Sequence, residues 1–126
     1  LHLCDRRQRQ MCIRDSSMIA PTSKERTLEI AAQAKGFIYL VSSMGVTGMR
    51  SNIVTDIEGI VESIKTVTDT PVAVGFGINS PAQVKHFGNI ADGVIVGSAI
   101  VNLIKEHGDR AHQPLFNYIQ TLIKEL

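Results

Sequence analysis

The sequence predicts an α/β fold in which parallel strands alternate with helices. Three short runs of apolar, β-forming residues lie at 37–41, 71–76 and 93–97, and an amphipathic stretch follows each of them. Such continuous apolar runs are typical of strands that are buried on both faces of a parallel sheet. Regular alternation of strands and helices in one chain indicates that helices cover that sheet.

The first helix is predicted to begin at TSKE, residues 22–25, which has the pattern of a capping box. Its apolar face is formed by Leu28, Ala31 and Ala34. It is predicted to end at Gly36, because glycine is a common helix terminator. The strand FIYLV at 37–41 follows, and the short segment MIA at 18–20 is predicted to end a further strand before the helix.

The same unit then repeats. A second capping-box pattern, TDIE at 55–58, precedes a helical stripe made of Ile57, Ile60, Val61, Ile64 and Val67. After the strand at 71–76, Ser80 is predicted to cap a short helix, with Pro81 at its first position and Gln83 completing the box. Beyond the strand at 93–97, two further helices are predicted from the apolar positions Ile100, Val101, Ile104, Leu115, Phe116, Ile119, Leu122, Ile123 and Leu126.

Two architectures fit about three complete parallel strands and their helices. One is a small, open, doubly wound sheet, and the other is the carboxy-terminal part of a (β/α)₈ barrel, which needs eight strands and about 250 residues. The alternation of elements alone does not choose between them.

The composition narrows the class of protein. The chain has 126 residues, 44% of them hydrophobic, and a net charge of +1, which predicts one soluble globular unit without a nucleic-acid or membrane partner. Cys4 and Cys12 are interpreted as two unpaired thiols of a cytoplasmic protein, and no metal site is predicted. The histidines at 86, 107 and 112 are predicted to be surface residues.

Residues 1–17 differ from the rest of the chain. They contain four arginines and both cysteines, and they show neither a helical nor a strand period. We interpret 1–17 as a non-native read-through segment and 18–126 as the natural part of the chain. The alternative is a basic arm that binds nucleic acid.

Each predicted strand ends in a glycine turn: GVTG at 45–48, GFG at 75–77 and GSA at 97–99. In a parallel sheet these turns lie at one edge, where ligands bind, and glycine lets the backbone N–H groups approach a ligand. Ser98 stands at the start of a helix, whose amino end attracts anions. The three turns together predict a phosphate site, and the alternative is that they are ordinary tight turns.

Three longer stretches carry a family resemblance. APTSKERTLEIAAQAKGFIYLVSSMGVTGMR, VAVGFGINSPAQV and ADGVIVGSAIV closely resemble the tryptophan synthase alpha chain family, from about Met18 to the end. SxxGVTG is the most specific of these motifs. The resemblance implies the carboxy-terminal part of a (β/α)₈ TIM barrel. It also implies a lyase that cleaves indole-3-glycerol phosphate to indole and glyceraldehyde 3-phosphate.

The resemblance also implies roles for individual residues. Its phosphate site corresponds to Gly48, Gly77, Gly97 and Ser98. Gly45 and Thr47 correspond to a mobile loop that closes over the substrate. Tyr39 matches an aromatic residue that faces the reacting end of the substrate, and Phe76 matches one that lines the indole pocket. Core packing is the alternative for both aromatic residues.

The family's two catalytic carboxylates belong to the first half of its barrel, to which nothing here aligns. No acid of this chain is therefore assigned a catalytic role, and Asp56, Glu58, Glu62 and Asp69 are interpreted as solvated acids. The resemblance implies no cofactor, since pyridoxal phosphate belongs to the partner beta chain of an α2β2 complex. We expect this chain alone to be inactive and not to fold as a stable monomer.

The sequence also has three alternative interpretations. Another phosphate-binding TIM-barrel enzyme, acting on a related indole-glycerol or ribulose phosphate, would share GFG and GSA but not SSMGVTG. An FMN-binding barrel would need basic contacts to the flavin that are not evident. A catalytically silent truncated fragment is the reading that involves no enzyme.

Overall fold

The computed structural model describes residues 16–21, 23–42 and 56–126. These ranges hold four strands: β1 (Ser17–Ile19), β2 (Ile38–Val41), β3 (Val72–Gly75) and β4 (Gly93–Ile95). They also hold five α-helices: α1 (Lys24–Gln33), α2 (Ile57–Lys65), α3 (Pro81–Gly88), α4 (Ser98–His107) and α5 (His112–Ile123). A 3₁₀ turn, Gly108–Arg110, connects α4 to α5.

The four strands form one parallel sheet in the order β1-β2-β3-β4. The segment predicted from MIA is therefore a strand, and it begins at Ser17, one residue before the predicted boundary. Met18 pairs with Tyr39, Tyr39 with Ala73, and Ala73 with Gly93. Since successive residues of a strand point to opposite faces, this register puts these four positions on one face of the sheet.

The other face of the sheet carries the hydrophobic core. Its strand residues and the helices pack into one cluster, in which the fully buried side chains are Ile19, Ile38, Leu40, Ile64, Val72 and Val74. The face with Met18 and Tyr39, called the inner face below, belongs to no such cluster, and Met18 is 65% exposed. The expectation that both faces are buried is therefore not met within the described residues, because the helices pack on one face only.

This arrangement decides between the two predicted architectures. A doubly wound sheet has helices on both faces and reverses its strand order at a switch point. The described sheet keeps sequential order, and the helices that contribute to the core, α1, α2, α3 and α5, pack on one face of it. A barrel has this arrangement, with its strands inside a ring of helices. The prediction of a barrel part is confirmed by the solved structures described below.

The helix starts confirm one predicted cap and correct two others. The box of Ser80 and Gln83 at α3 is present in full. Helix α2 is capped by Asp56, whose carboxylate accepts a hydrogen bond from Gly59 N at 2.9 Å, and not by the predicted Thr55. The cap position of α1 is Ser23, one residue after the predicted Thr22, and its side chain makes no capping hydrogen bond. The cap positions of α1 and α2 each lie one residue after the predicted one. Thr22 and Thr55 themselves lie outside the described residues.

The last two helices bury less of their apolar surface than their sequence stripes predict. In α5 the buried residue is Leu122, and in α4 no residue is buried. The exposed apolar side chains of this region are Val101, Ile104, Phe116, Ile119, Ile123 and Leu126. The described residues thus leave an apolar surface on α4 and α5 uncovered.

Asp92 ties the start of β3 to the loop before β4. Its Oδ2 accepts a hydrogen bond from Val72 N at 2.8 Å, and Asp92 N donates to Val72 O at 3.0 Å. The same carboxylate forms an ion pair with Lys65 of α2. The hydrogen bond from Lys65, followed by that from Val72 N, lowers the pKa of Asp92.

In the full-length gene product, we expect Asp92→Ala to lower the free energy of unfolding by about 1–3 kcal/mol, because it leaves the N–H of the buried Val72 without its partner. Asp92→Asn should lose less, since its amide oxygen can still accept that bond. The contribution of a carboxyl with a lowered pKa is present above the unfolded value of about 3.9. It should be lost as pH falls through the lower folded value. Urea titrations between pH 7 and pH 3 would measure this, with the exposed Asp69→Asn as the control; equal losses for Asp92→Ala and the control would contradict it.

Candidate functional site at the carboxyl edge of the sheet

The turn after β3 has an unusual backbone. Phe76 and Gly77 have φ values of 83° and 77°, so two successive residues are left-handed. Glycine adopts this conformation readily, whereas a residue with a Cβ pays about 1–2 kcal/mol for it. The Phe76 side chain is 53% exposed and therefore does not pack in the core of the described part. Strained backbone of this kind is concentrated at functional sites.

Hydrogen bonds hold this turn from two sides. Ser42, directly after β2, donates its Oγ hydrogen to Phe76 O and its backbone N–H to Gly75 O. From α5, the Tyr118 hydroxyl donates to Asn79 O at 3.0 Å, and burial raises the pKa of that hydroxyl. The turn is therefore fixed by both a neighbouring strand and the last helix.

Tyr39 lies on the inner face beside this turn. A Cβ built on Gly75 would collide with the Tyr39 hydroxyl and would come within 3.1 Å of Ile95 Cβ. The Tyr39 ring thus crosses from β2 to the end of β3, and only glycine leaves room for it at position 75. The structure therefore brings the Tyr39 hydroxyl to Gly75, the residue that precedes Phe76 in the chain.

The start of α4 leaves its backbone donors free of a side-chain cap. Its cap position is Gly97, which has no side chain, and the first intrahelical bond runs from Val101 N to Gly97 O at 3.1 Å. The N–H groups of Ser98 and the two residues after it therefore have no acceptor within the helix. The neighbouring helix α3 differs, because Ser80 and Gln83 cap it. Gly97 and Ser98 are both exposed.

The register sets these features side by side. Gly75 pairs with Ile95, so Gly77 and Gly97 each stand two residues beyond a paired position of adjacent strands. Four predicted site residues therefore lie at the same edge of the sheet: Phe76, Gly77, Gly97 and Ser98. The hydroxyl of a fifth, Tyr39, reaches Gly75 at the end of β3. Gly45, Thr47 and Gly48 lie outside the described residues. Uncapped N–H groups and a left-handed glycine at one edge can bind an anion.

Other groups of the described part do not compete for this role. Asp56 is a helix cap, and Glu58, Glu62 and Asp69 are exposed. Residues 16–21, 23–42 and 56–126 contain no cluster of three or more His, Cys, Asp or Glu suited to a metal ion. Within the same ranges no helix is long and apolar enough to cross a membrane. A cavity of about 680 Å³ between β1 and α1 is lined by none of the predicted site residues.

The sequence matches a family model described as tryptophan synthase alpha chain over residues 5–125. The chain belongs to this family. The alpha chain of Lactiplantibacillus plantarum is 57% identical over 91 residues, which cover 71% of this chain and 34% of that protein. The alpha chain of Bacillus licheniformis is 47% identical over 98 residues, or 78% of this chain and 37% of that one. The chain spans about a third of the length of these curated relatives.

Solved structures agree with the family. A tryptophan synthase a2b2 complex from Pyrococcus furiosus superposes with a TM-score of 0.67 at 36% identity, covering 85% of this chain and 44% of that one. The resemblance to this family that SSMGVTG and the other motifs indicate is thus confirmed. The non-native origin of residues 1–17 stays a prediction.

Proposed function

We propose that these residues form the phosphate-binding part of a tryptophan synthase alpha chain, a lyase that cleaves indole-3-glycerol phosphate to indole and glyceraldehyde 3-phosphate. The observation that carries the proposal is the uncapped start of α4 beside the left-handed turn at Phe76 and Gly77. Both lie at the carboxyl edge of a parallel sheet, where barrel enzymes bind their substrates. Family membership supplies the identity of the substrate.

The phosphate group would lie against the backbone of Gly77, Gly97 and Ser98. Helix α4 contributes the partial positive charge of its amino end, and the exposed Ser98 hydroxyl can donate a further hydrogen bond. Among the described residues, nothing lies within 4 Å of a Cβ built on Gly97 or Gly77, so these residues leave space for a ligand beside both backbones. Gly48 is proposed as a fourth contact on the resemblance alone.

The indole ring would lie against Phe76, and the reacting end of the substrate would face Tyr39. The exposed Phe76 ring offers apolar surface, and Tyr39 offers a ring with a hydroxyl at the end of β3. Gly45 and Thr47 are proposed to belong to a loop that closes over this space. We propose no catalytic role for the acidic residues of this chain.

The proposal extends to partners and location. The Pyrococcus furiosus structure is of an a2b2 complex, and we propose a beta chain as the partner here too. The alpha chain would need no cofactor, pyridoxal phosphate being bound by the beta chain, and it would act in the cytoplasm without a nucleic-acid partner. The chain as given would lack activity by itself, since the resemblance implies that the family's two catalytic carboxylates belong to the first half of the barrel, to which nothing here aligns.

Indole release from indole-3-glycerol phosphate tests the proposal. The full-length product of the gene that encodes this chain should release indole, and glycerol 3-phosphate should inhibit it competitively, because it carries the phosphate group alone. Absence of indole release from a folded product, with its beta chain supplied, would contradict the proposed function.

A further inference from the structure

We propose that Ser42 is a positioning residue that holds Phe76 in its left-handed conformation and thereby fixes the exposed ring at the substrate site. The inference rests on the proposed function, since the ring matters only if it contacts a ligand. Ser42 is not among the residues that are proposed to contact the substrate.

Phe76 needs an external restraint to keep its backbone. A bulky residue at φ 83° pays about 1–2 kcal/mol relative to ordinary right-handed conformations, so it persists only when its surroundings impose it. Relaxation of that angle would swing the side chain, because the Cα–Cβ bond turns with the backbone.

Ser42 supplies such a restraint at the residue itself. Its N–H bonds to Gly75 O at 2.8 Å and continues the ladder between β2 and β3 by one step, while its hydroxyl donates to Phe76 O. The two carbonyls flank the N–Cα bond of Phe76, the bond whose rotation is φ. Two bonds from one residue therefore fix both peptide groups around this angle.

Ser42 acts from the side away from the ligand. Burial alternates along β2, with Ile38 and Leu40 on the core face and Tyr39 and Val41 on the inner face. The next position returns to the core face, and Ser42 lines a cavity of about 300 Å³ together with residues of α2 and α3. It can therefore hold Phe76 without contacting a substrate on the inner face.

The other hydrogen bond to this turn does not duplicate the restraint. Tyr118 bonds Asn79 O, three residues further along, and the box at α3 fixes Ser80 and Gln83. These contacts anchor the end of the turn that leads into α3. Within the described residues, Ser42 is the side chain that hydrogen-bonds to the backbone of Phe76.

The test uses the full-length gene product and two ligands. Indole-3-propanol phosphate carries the ring and the phosphate, whereas glycerol 3-phosphate carries the phosphate alone. We expect Ser42→Ala to weaken binding of the first about 10-fold and of the second less than about twofold, because the backbone donors at Gly97 and Ser98 are untouched. In Ser42→Ala, the KM for indole-3-glycerol phosphate should rise by about the same factor as the dissociation constant of indole-3-propanol phosphate.

Matched variants separate positioning from folding. Ser63→Ala removes a similar hydroxyl-to-carbonyl bond, Ser63 to Gly59 O at 2.7 Å within α2, and should leave both ligands unaffected. Ser42→Thr keeps the donor and should restore binding. Ser42→Cys, a weak donor of similar size, should give a smaller loss in the same direction and serves if Ser42→Ala does not fold. In a Phe76→Ala background, Ser42→Ala should have no further effect on the indole ligand.

Three results would overturn the inference while leaving the proposed function intact. These are unchanged binding of indole-3-propanol phosphate by Ser42→Ala and Ser42→Cys, an equal loss for both ligands, and an undiminished Ser42→Ala effect in the Phe76→Ala background. An unmodified gene product that neither binds the indole ligand nor releases indole would overturn both.

Discussion

Gly97→Asp is expected to raise the KM for indole-3-glycerol phosphate at least about 100-fold in the full-length gene product. The substitution places a carboxylate at the amino end of α4, against the proposed phosphate dianion. Two like unit charges 4 Å apart repel by on the order of 4 kcal/mol near a protein surface, and each 1.4 kcal/mol is a factor of ten. Steady-state indole release measures the effect.

Gly97→Asp tests the effect of a negative charge, because the backbone at this position can take a residue with a side chain. Gly97 has φ −119°, an ordinary angle for any residue, and a Cβ there meets none of the described residues within 4 Å. Gly97→Asn, which has the same shape without the charge, should raise the KM far less. Ser98→Ala should weaken binding by about 1.5–3 kcal/mol if its hydroxyl bonds the charged phosphate. An unchanged KM in Gly97→Asp would show that the phosphate does not lie at α4.

The 126-residue chain by itself is expected neither to release indole nor to fold as a stable monomer. Its inner face and the exposed apolar side chains Val101, Ile104, Phe116, Ile119 and Ile123 of α4 and α5 are uncovered within the described residues. Strands β1 and β4 are the edges of the described sheet, and open edges beside apolar surface favour aggregation. Ordering each residue still costs roughly 1–2 kcal/mol of backbone entropy.

Near-UV circular dichroism and a denaturant titration of the purified chain measure this expectation. A structured monomer would show a fixed aromatic signal and one cooperative transition with a slope suited to its length. We expect neither, and we expect oligomers in sedimentation. A cooperative monomeric transition would contradict the folding prediction, and measurable indole release would contradict the prediction that this chain alone is inactive.

The strands were predictable from the sequence because their signal is local. FIYLV, PVAVGF and GVIVG are short apolar runs bounded by turns, and the observed strands lie within them. The helix caps were less predictable, since TSKE and TDIE each contain several capping residues in succession. At the second motif, Asp56 takes the place of Thr55 because its carboxylate reaches Gly59 N. Burial on one face only was not predictable, because it depends on where all the helices pack.

The candidate site was predictable in part. The glycine turns follow directly from the strand ends, and the parallel sheet brings two of them to one edge in the described residues. The left-handed angle of Phe76 could not be anticipated, because a phenylalanine between two glycines carries no signal for it. Ser42 was missed for a similar reason: its bonds reach 33 and 34 residues along the chain, and only the register of β2 and β3 creates them.

A crystal structure of the full-length gene product with indole-3-propanol phosphate tests the central claim most directly. We expect phosphate oxygens within hydrogen-bond range, about 2.7–3.2 Å, of the N–H groups of Gly97 and Ser98, with Gly77 facing the same group. The indole ring should lie against Phe76. A phosphate bound elsewhere, with the start of α4 facing only water, would contradict the account.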